Sequence, residues 1–358
     1  MFDLLKTLGC DTSNLFDAMD KNNLIVKKYA SKSGNVYDIV QYDKKYITKD
    51  SNLKMFKSLI FEDSKLLSFS PPKSCDFETF KNKYNIDNVT CEILVEGTMV
   101  NLFWSSKGWE ISTRGTVGAN ISYYKDDPEN TTFRHMFLEC CNEANFEFDK
   151  LDKKYCYSFV MQHTKNKIVG PILENALYLV AIYEITHDEN EITIKEHYKD
   201  SKGYLDVISN IDDTYLRLPK TYKVDSYDEA KDIFGSFNTP YQYIGLTIKH
   251  YKTGERANIY NPSYKEVKKF KGNEPKMQFT YLRLRQENKV KSYLKYYSEN
   301  KAQFSIYKDQ VHNYTNTLYD NYIKCFIKKL KPHTEFPYQY RTHLFLLHNL
   351  YLNKLKPD

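Results

Sequence analysis

Long apolar runs are missing from this chain of 358 residues, and nothing in it approaches the roughly 18 consecutive apolar residues that a membrane span needs. Its N-terminus, Met1 to Lys6 followed by Thr7, Gly9 and Cys10, has neither a basic leader nor a long apolar core. Secretion, membrane spanning and a membrane partner are therefore not expected, and the expected location is cytoplasmic. Paired cysteines are missing too. Cys10, Cys75, Cys91, Cys140, Cys141, Cys156 and Cys325 form no CxxC and leave an odd one over, which fits reduced thiols in a reducing compartment. The adjacent Cys140 and Cys141 read as ordinary packing residues, since free cysteine is commonly buried.

Several enzyme signatures are also absent. There is no GxxxxGK[ST] loop, no GxGxxG, no HExxH and no GxSxG, which removes P-loop, dinucleotide-binding, zinc-protease and nucleophile-elbow chemistry. The nine histidines are scattered. The closest pair, His343 and His348, stand five apart on a presumed helix and so point in different directions. No metal site is expected.

Arginine is scarce beside lysine: Arg114, Arg134, Arg217, Arg256, Arg283, Arg285 and Arg341 are the only ones. A guanidinium in so lysine-rich a chain draws attention to Arg114, which precedes Gly115 and would suit a polyanion or carboxylate. Charge is polarised along the sequence. From Lys265 to Asp358 there are 19 Lys and Arg against 8 Asp and Glu, a balance of 19 − 8 = +11. The whole chain carries only +6, which leaves −5 for the rest. Such asymmetry suits a polyanionic partner for the basic part, or else a solvated lysine-rich helical surface.

From Met55 to about Tyr260 short β-branched and aromatic runs alternate with turn residues, as antiparallel sheets with a few helices would. Ser105-Ser106-Lys107-Gly108 and Lys252-Thr253-Gly254-Glu255 read as hairpin turns. Residues 1–50 are mixed and polar and read as an N-terminal extension. After Pro262 the period changes. Phe304, Tyr307, Val311, Tyr314, Leu318, Tyr322 and Cys325 recur at helical spacing, as core rather than as a base-stacking platform. Pro332 ends that helix, and a last one after Pro337 is expected to bury Leu344, Leu347, Tyr351 and Leu355. The expected division is an extension (1–50), a β-rich domain (51–264) and a basic helical domain (265–358).

Between Lys57 and Tyr264 an ordered series of segments resembles phage-type RNA ligases of the covalent nucleotidyltransferase superfamily. Lys57-Ser58-Leu59-Ile60-Phe61-Glu62 is similar to their Arg-Gly-x-x-Phe-Glu stretch. Phe69-Ser70-Pro71-Pro72-Lys73-Ser74 is similar to their Pro-x-x-Lys-Phe-Phe. Leu94-Val95-Glu96-Gly97-Thr98 stands in the place of the nucleophile motif Lys-x-Asp-Gly-Ser, and Thr113-Arg114-Gly115-Thr116 in that of a basic-Gly-Ser turn. Val160 to Val169 echo Glu-x-x-x-Pro-x-Asn-Arg-Ile-Val, Ile244-Gly245 echo Glu-Gly, and Asn258-Ile259-Tyr260 echo Lys-Ile-Lys. The resemblance covers roughly residues 50–265. A second one, to proteins of large cytoplasmic DNA viruses, rests on Phe69 to Ser74, Val95 to Met99, Gly272 to Lys276 and Tyr340 to His343. It implies a viral origin, hence host cytoplasm, viral factory or virion.

The resemblance implies an α+β fold: an antiparallel two-sheet ligase-like domain around a cleft, then a helical domain. It also implies what is missing. Leucine at position 94 offers no amine to take up a nucleotide. Carboxylates are absent at 160 and 244, and the two lysines that would stabilise the reacting α-phosphate are absent at 258 and 260. The favoured reading is a degenerate ligase, a pseudoenzyme that binds RNA or a nucleotide. Lys57, Lys73, Glu96 and Arg114 would be at its phosphate site, and Lys268, Lys269, Lys271, Arg283 and Arg285 on its nucleic-acid surface. The alternatives are an active ATP-dependent ligase, using ATP and Mg, with its nucleophile relocated to Lys57 or Lys73, and a structural or assembly protein of a large DNA virus.

Overall fold

The computed structural model describes residues 1–31, 34–47, 52–123, 131–197 and 216–356. They group into two compact units, 1–275 and 276–358. The helix at 262–271 thus falls in the first unit, although it was read as the start of the basic helical domain.

Among the described residues the first unit contains strands β1 (Phe2–Asp3), β2 (Leu24–Ala30), β3 (Val36–Tyr42), β4 (Leu59–Glu62), β5 (Lys65–Phe69), β6 (Val89–Ile93), β7 (Thr98–Ser105), β8 (Gly108–Thr113), β9 (Thr116–Val117), β10 (Tyr155–Gln162), β11 (Ala176–His187), β12 (Ile192–Glu196), β13 (Thr221–Tyr222), β14 (Gly245–His250) and β15 (Arg256–Tyr260). They form three sheets, and every pairing within them is antiparallel. The first runs β1-β12-β11-β10-β7-β8-β9, the second β13-β6-β14-β15 and the third β2-β3-β4-β5. Both hairpin turns form where they were expected, Ser105 pairing with Gly108 and Lys249 with Arg256.

The antiparallel α+β architecture holds, and a third sheet accompanies the two foreseen. Residues 1–50 help to build it. β1 is the edge of the seven-stranded sheet, β2 and β3 are half of the third sheet, and helices α1 (Leu4–Leu8) and α2 (Leu15–Lys21) add Leu4, Leu5, Leu8 and Met19 to one core cluster. The segment is integral to the fold, not an extension from it.

β10, Tyr-Cys-Tyr-Ser-Phe-Val-Met-Gln, is buried along nearly its whole length because both of its faces are covered. Tyr157, Phe159 and Met161 pack with Val100, Leu102 and helix α4 (Phe133–Glu143). The opposite face is graded: Cys156 joins the N-terminal core, Ser158 donates to Asn101 Oδ1 at 2.8 Å, and Val160 reaches a cavity. Asn101 in turn donates to Ser70 Oγ at 2.7 Å, which ties the Pro71-Pro72-Lys73 loop to the sheet.

The second sheet has two chemically distinct faces, the strand period of two sorting its residues. Cys91, Leu246, Ile248, Ala257 and Ile259 pack beneath Phe80 of helix α3 (Phe77–Lys83) and Ala230 and Phe234 of α5 (Tyr227–Phe234). The alternate residues are polar and face the cavity. Gly245 is obligatory in this sheet: at φ +139° a Cβ would lie 1.9 Å from the Ile259 carbonyl oxygen. Helix α6 (Pro262–Lys271) begins with Pro262, and the Asn261 side chain caps it by accepting from Ser263 N–H at 2.9 Å.

The second unit holds α7 (Met277–Gln286), α8 (Val290–Tyr296), α9 (Lys301–Tyr322) and α10 (Tyr338–Leu350). Tyr314 stacks on Tyr340 and Tyr322 lies near His348, with ring centres 5.0 and 6.2 Å apart, so α9 and α10 run in the same direction. Each ends in a π-helical turn, Ile323–Ile327 and Tyr351–Leu355. The last helix departs from expectation. Leu344 is buried, but Leu347, Tyr351 and Leu355 are exposed, because the core between the helices closes around Phe336, Tyr340 and Leu344.

Candidate functional site

A cavity of about 250 Å³ lies between the polar face of the second sheet and the Val160 end of the first. The sheet supplies Glu92 from β6, Thr247 and Lys249 from β14, and Arg256, Asn258 and Tyr260 from β15. These are alternate positions on each strand, so the same registry that buries Ile248 and Ala257 turns Lys249 and Arg256 toward the cavity. Met99, Val160 and Val180 form an apolar wall. Lys57 and the Pro71-Pro72-Lys73-Ser74 loop close another side, and Leu94 and Val95, just past the end of β6, a further one.

The polar groups are ordered by one another. Lys249 and Glu92 form a buried ion pair at 3.0 Å, and Lys249 also donates to the Val180 carbonyl at 3.2 Å. Arg256 pairs with the buried Glu196 at 2.5 Å. Thr247 Oγ1 donates to Asn258 Oδ1 at 2.9 Å, and the Asn258 amide donates to the Tyr260 hydroxyl at 2.9 Å. Leu94 N–H donates to the Gly245 carbonyl at 3.0 Å, which fixes the strand end.

Lys57 is half-buried, and its environment is hostile to charge. Loss of water, followed by repulsion from the Arg256 and Arg114 cations, lowers its ammonium to about 8. The Tyr42 ring joins two further cations, with the Arg114 guanidinium 4.6 Å and the Lys73 ammonium 5.8 Å from its centre. Arg114 is held through its backbone, whose carbonyl accepts from Ser58 Oγ at 2.9 Å and from the Gln41 amide. Its Nε is buried without a hydrogen-bond partner among the described residues.

The structure therefore brings together Lys57, Lys73 and Leu94 on the cavity wall. Arg114 stands behind them at Tyr42. Glu96 is elsewhere: its buried carboxylate accepts from Val169 N–H at 2.6 Å and from Gly170 N–H at 3.1 Å, bracing a turn. Burial raises its pKa against the opposing effect of these bonds. Its neighbour Gly97, at φ +152°, has no room for a side chain, since a Cβ would meet the Met161 carbonyl oxygen at 2.3 Å.

Lys268 and Lys269 are exposed near the end of α6, whereas Lys271 donates to the Lys167 carbonyl and lies 4.7 Å from the Tyr123 ring centre. Arg283 pairs with Glu287 at 3.7 Å, and Arg285 donates to the Tyr281 hydroxyl at 3.1 Å. The three lysines belong to the first unit and the two arginines to the second.

Sequence reading missed Glu92, Lys249 and Arg256. Alternation along β14 and β15 was the available signal: Thr247 with Lys249, and Arg256 with Asn258 and Tyr260. The four motif positions 94, 160, 258 and 260, scattered in sequence, all line this cavity. Ile244, just before β14, is not among its lining residues.

No family model matches the chain. It is 22% identical over 201 residues to an RNA ligase of Rhodothermus phage RM378, covering 49% of this chain and 45% of that protein. It is 24% identical over 283 residues to an immediate-early protein ICP-46 homologue of Invertebrate iridescent virus 6, covering 74% of this chain and 58% of that protein. The chain thus spans about half the length of the curated relatives it matches. Among solved structures, an archaeal ATP-dependent RNA ligase aligns over 85% of this chain and 76% of its own, with 13% identity and a TM-score of 0.47. A Naegleria gruberi RNA ligase mutant with ATP and Mn aligns over 72% and 82%, with 11% identity and a TM-score of 0.37. The chain is RNA-ligase-like, similar in sequence to a phage ligase and to ICP-46 homologues of iridescent viruses.

Proposed function

We propose that this RNA-ligase-like chain holds the phosphates of a nucleotide or of an RNA end in its cavity without forming a lysyl-nucleotide at position 94. One observation carries the reading. Leucine, valine, asparagine and tyrosine occupy positions 94, 160, 258 and 260 of a cavity whose remaining walls keep Lys57, Lys73, Lys249 and Arg256. Two of these four cations are paired, Lys249 with Glu92 and Arg256 with Glu196, so Lys57 and Lys73 give the cavity the positive balance that favours anionic oxygen, and Arg114 adds to the field from behind Tyr42. Leucine carries no lone pair with which to attack phosphorus.

The donors fit phosphate better than they fit magnesium. A hard divalent cation needs several free oxygen ligands, but Glu92 is engaged by Lys249, and valine and isoleucine stand at 160 and 244. No step is therefore assigned to a metal. RNA would be gripped electrostatically by Lys268, Lys269 and Lys271 and by Arg283 and Arg285, with an affinity that falls steeply as salt rises.

A second reading has one observation in its favour. Lys57 lines the same cavity, and at an ammonium pKa of about 8 a useful fraction of it is an amine near neutral pH. The decisive experiment incubates the protein with α-labelled ATP or GTP and magnesium or manganese, then resolves it under denaturing conditions beside a nucleotide titration at equilibrium. Binding without a covalent label supports the first reading. A labelled band lost in Lys57→Ala establishes the second. Neither binding nor label overturns both and leaves a structural or assembly role.

A further inference from the structure

The two long helices of residues 276–358 end together. Phe326, in the closing turn of α9, stacks on His348 of α10 with ring centres 4.0 Å apart, and His348 lies 6.5 Å from Tyr351 at the start of the other closing turn. Aliphatic side chains stand out at this end: Ile327 is 54% exposed, Leu330 68%, Leu352 46% and Leu355 66%. Exposed lysines neighbour them along the chain, Lys324, Lys328 and Lys329 at the end of α9 and Lys354 and Lys356 at the end of α10. Between Asn321 and Lys356 the only carboxylate is Glu335.

We propose that this tip seats on an anionic lipid surface, the four aliphatic side chains entering the headgroup layer and the lysines facing lipid phosphates and carboxylates. Lysine alone would suit any polyanion. A nucleic-acid backbone, however, gives exposed isoleucine and leucine nothing to bury, whereas exposed aliphatic side chains with five exposed lysines beside them in sequence match the acyl–headgroup boundary. The expectation of no membrane partner weighed spanning segments, and no helix among the described residues is long and apolar enough to cross a membrane. Surface seating needs no such helix. It is also independent of the cavity, whose lining residues all lie in 1–275.

The test sediments the full chain with vesicles of phosphatidylcholine mixed with phosphatidylserine, and with vesicles of phosphatidylcholine alone. Co-sedimentation is expected with the mixed vesicles only, weakening as salt is added. Lys328→Gln should weaken it roughly fivefold. A double variant, Leu330→Asp with Leu355→Asp, should weaken it by roughly tenfold or more, with helical circular dichroism and nucleotide binding unchanged. Absence from both pellets overturns the proposal. So does undiminished sedimentation of the leucine variant. RNA binding that needs the lysines but not the leucines would reassign the tip to nucleic acid, and a dimer dissociated by Leu330→Asp would reassign it to a second copy of the chain.

Discussion

Lys249 of β14 and Glu92 of β6 meet at 3.0 Å on neighbouring strands, both side chains buried beside the cavity. Neither charge can be removed alone without leaving the other in a water-poor setting. Glu92→Gln is therefore expected to destabilise the fold by about 3–5 kcal/mol, read from the midpoint of urea unfolding. Glu92→Leu combined with Lys249→Met should recover most of that loss. If the single variant unfolds like the parent, the pair does not have the structural weight assigned to it.

Lys57 makes the cavity sensitive to alkaline pH. Its folded pKa, about 8, lies below that of an unfolded lysine, so between the two values the unfolded chain binds more protons. The contribution of this group to stability should accordingly rise with pH through that window and stay constant below about 8. Phosphate binding should move the opposite way, because it needs the ammonium. Nucleotide affinity is expected to fall as pH rises through about 8, and Lys57→Arg should flatten the profile. Calorimetric titration across that range checks both.

Restoring one amine should not restore the chemistry. Leu94→Lys is expected to remain unlabelled with α-labelled ATP, since each absent charge-stabilising donor costs about 10²–10³ in rate. A triple variant with Asn258→Lys and Tyr260→Lys returns the positive charge to the same wall and should give a detectable adduct. Labelling of Leu94→Lys alone would mean that the remaining cations already suffice.

Glu96 should behave as a structural brace. Glu96→Ala strands the buried N–H groups of Val169 and Gly170 and is expected to cost about 2–3 kcal/mol. The folded fraction should bind nucleotide as the parent does. A large loss of affinity without loss of stability would return Glu96 to the binding machinery.

The strand runs and both hairpins were legible in the sequence, because alternation and turn chemistry are local. So were the positions of Leu94, Val160, Asn258 and Tyr260, whose order along the chain pointed to one site. Lys249 and Arg256 were not singled out: alternation put them on one face of the β14–β15 hairpin, but that this face lines a cavity depends on β14 pairing with β6, far away in sequence. Glu96 illustrates the converse: its motif position was readable, but the two backbone N–H groups that claim it come from a distant turn. The last helix misled for a different reason. Period 3.6 marks a stripe from Leu344 to Leu355, but only the part facing Tyr314 and Leu318 is covered.

The second sheet carries a kinetic consequence. β6 lies near residue 90 and its partner β14 near residue 247, with β15 after it. The loop between them must close before Glu92 can meet Lys249, and contacts of such long sequence separation are slow to form. During synthesis the cavity cannot exist until Tyr260 has emerged, however early the N-terminal sheet is complete. Any fragment ending before β14 would leave Lys57, Lys73 and Leu94 without Thr247, Lys249, Arg256, Asn258 and Tyr260 opposite them.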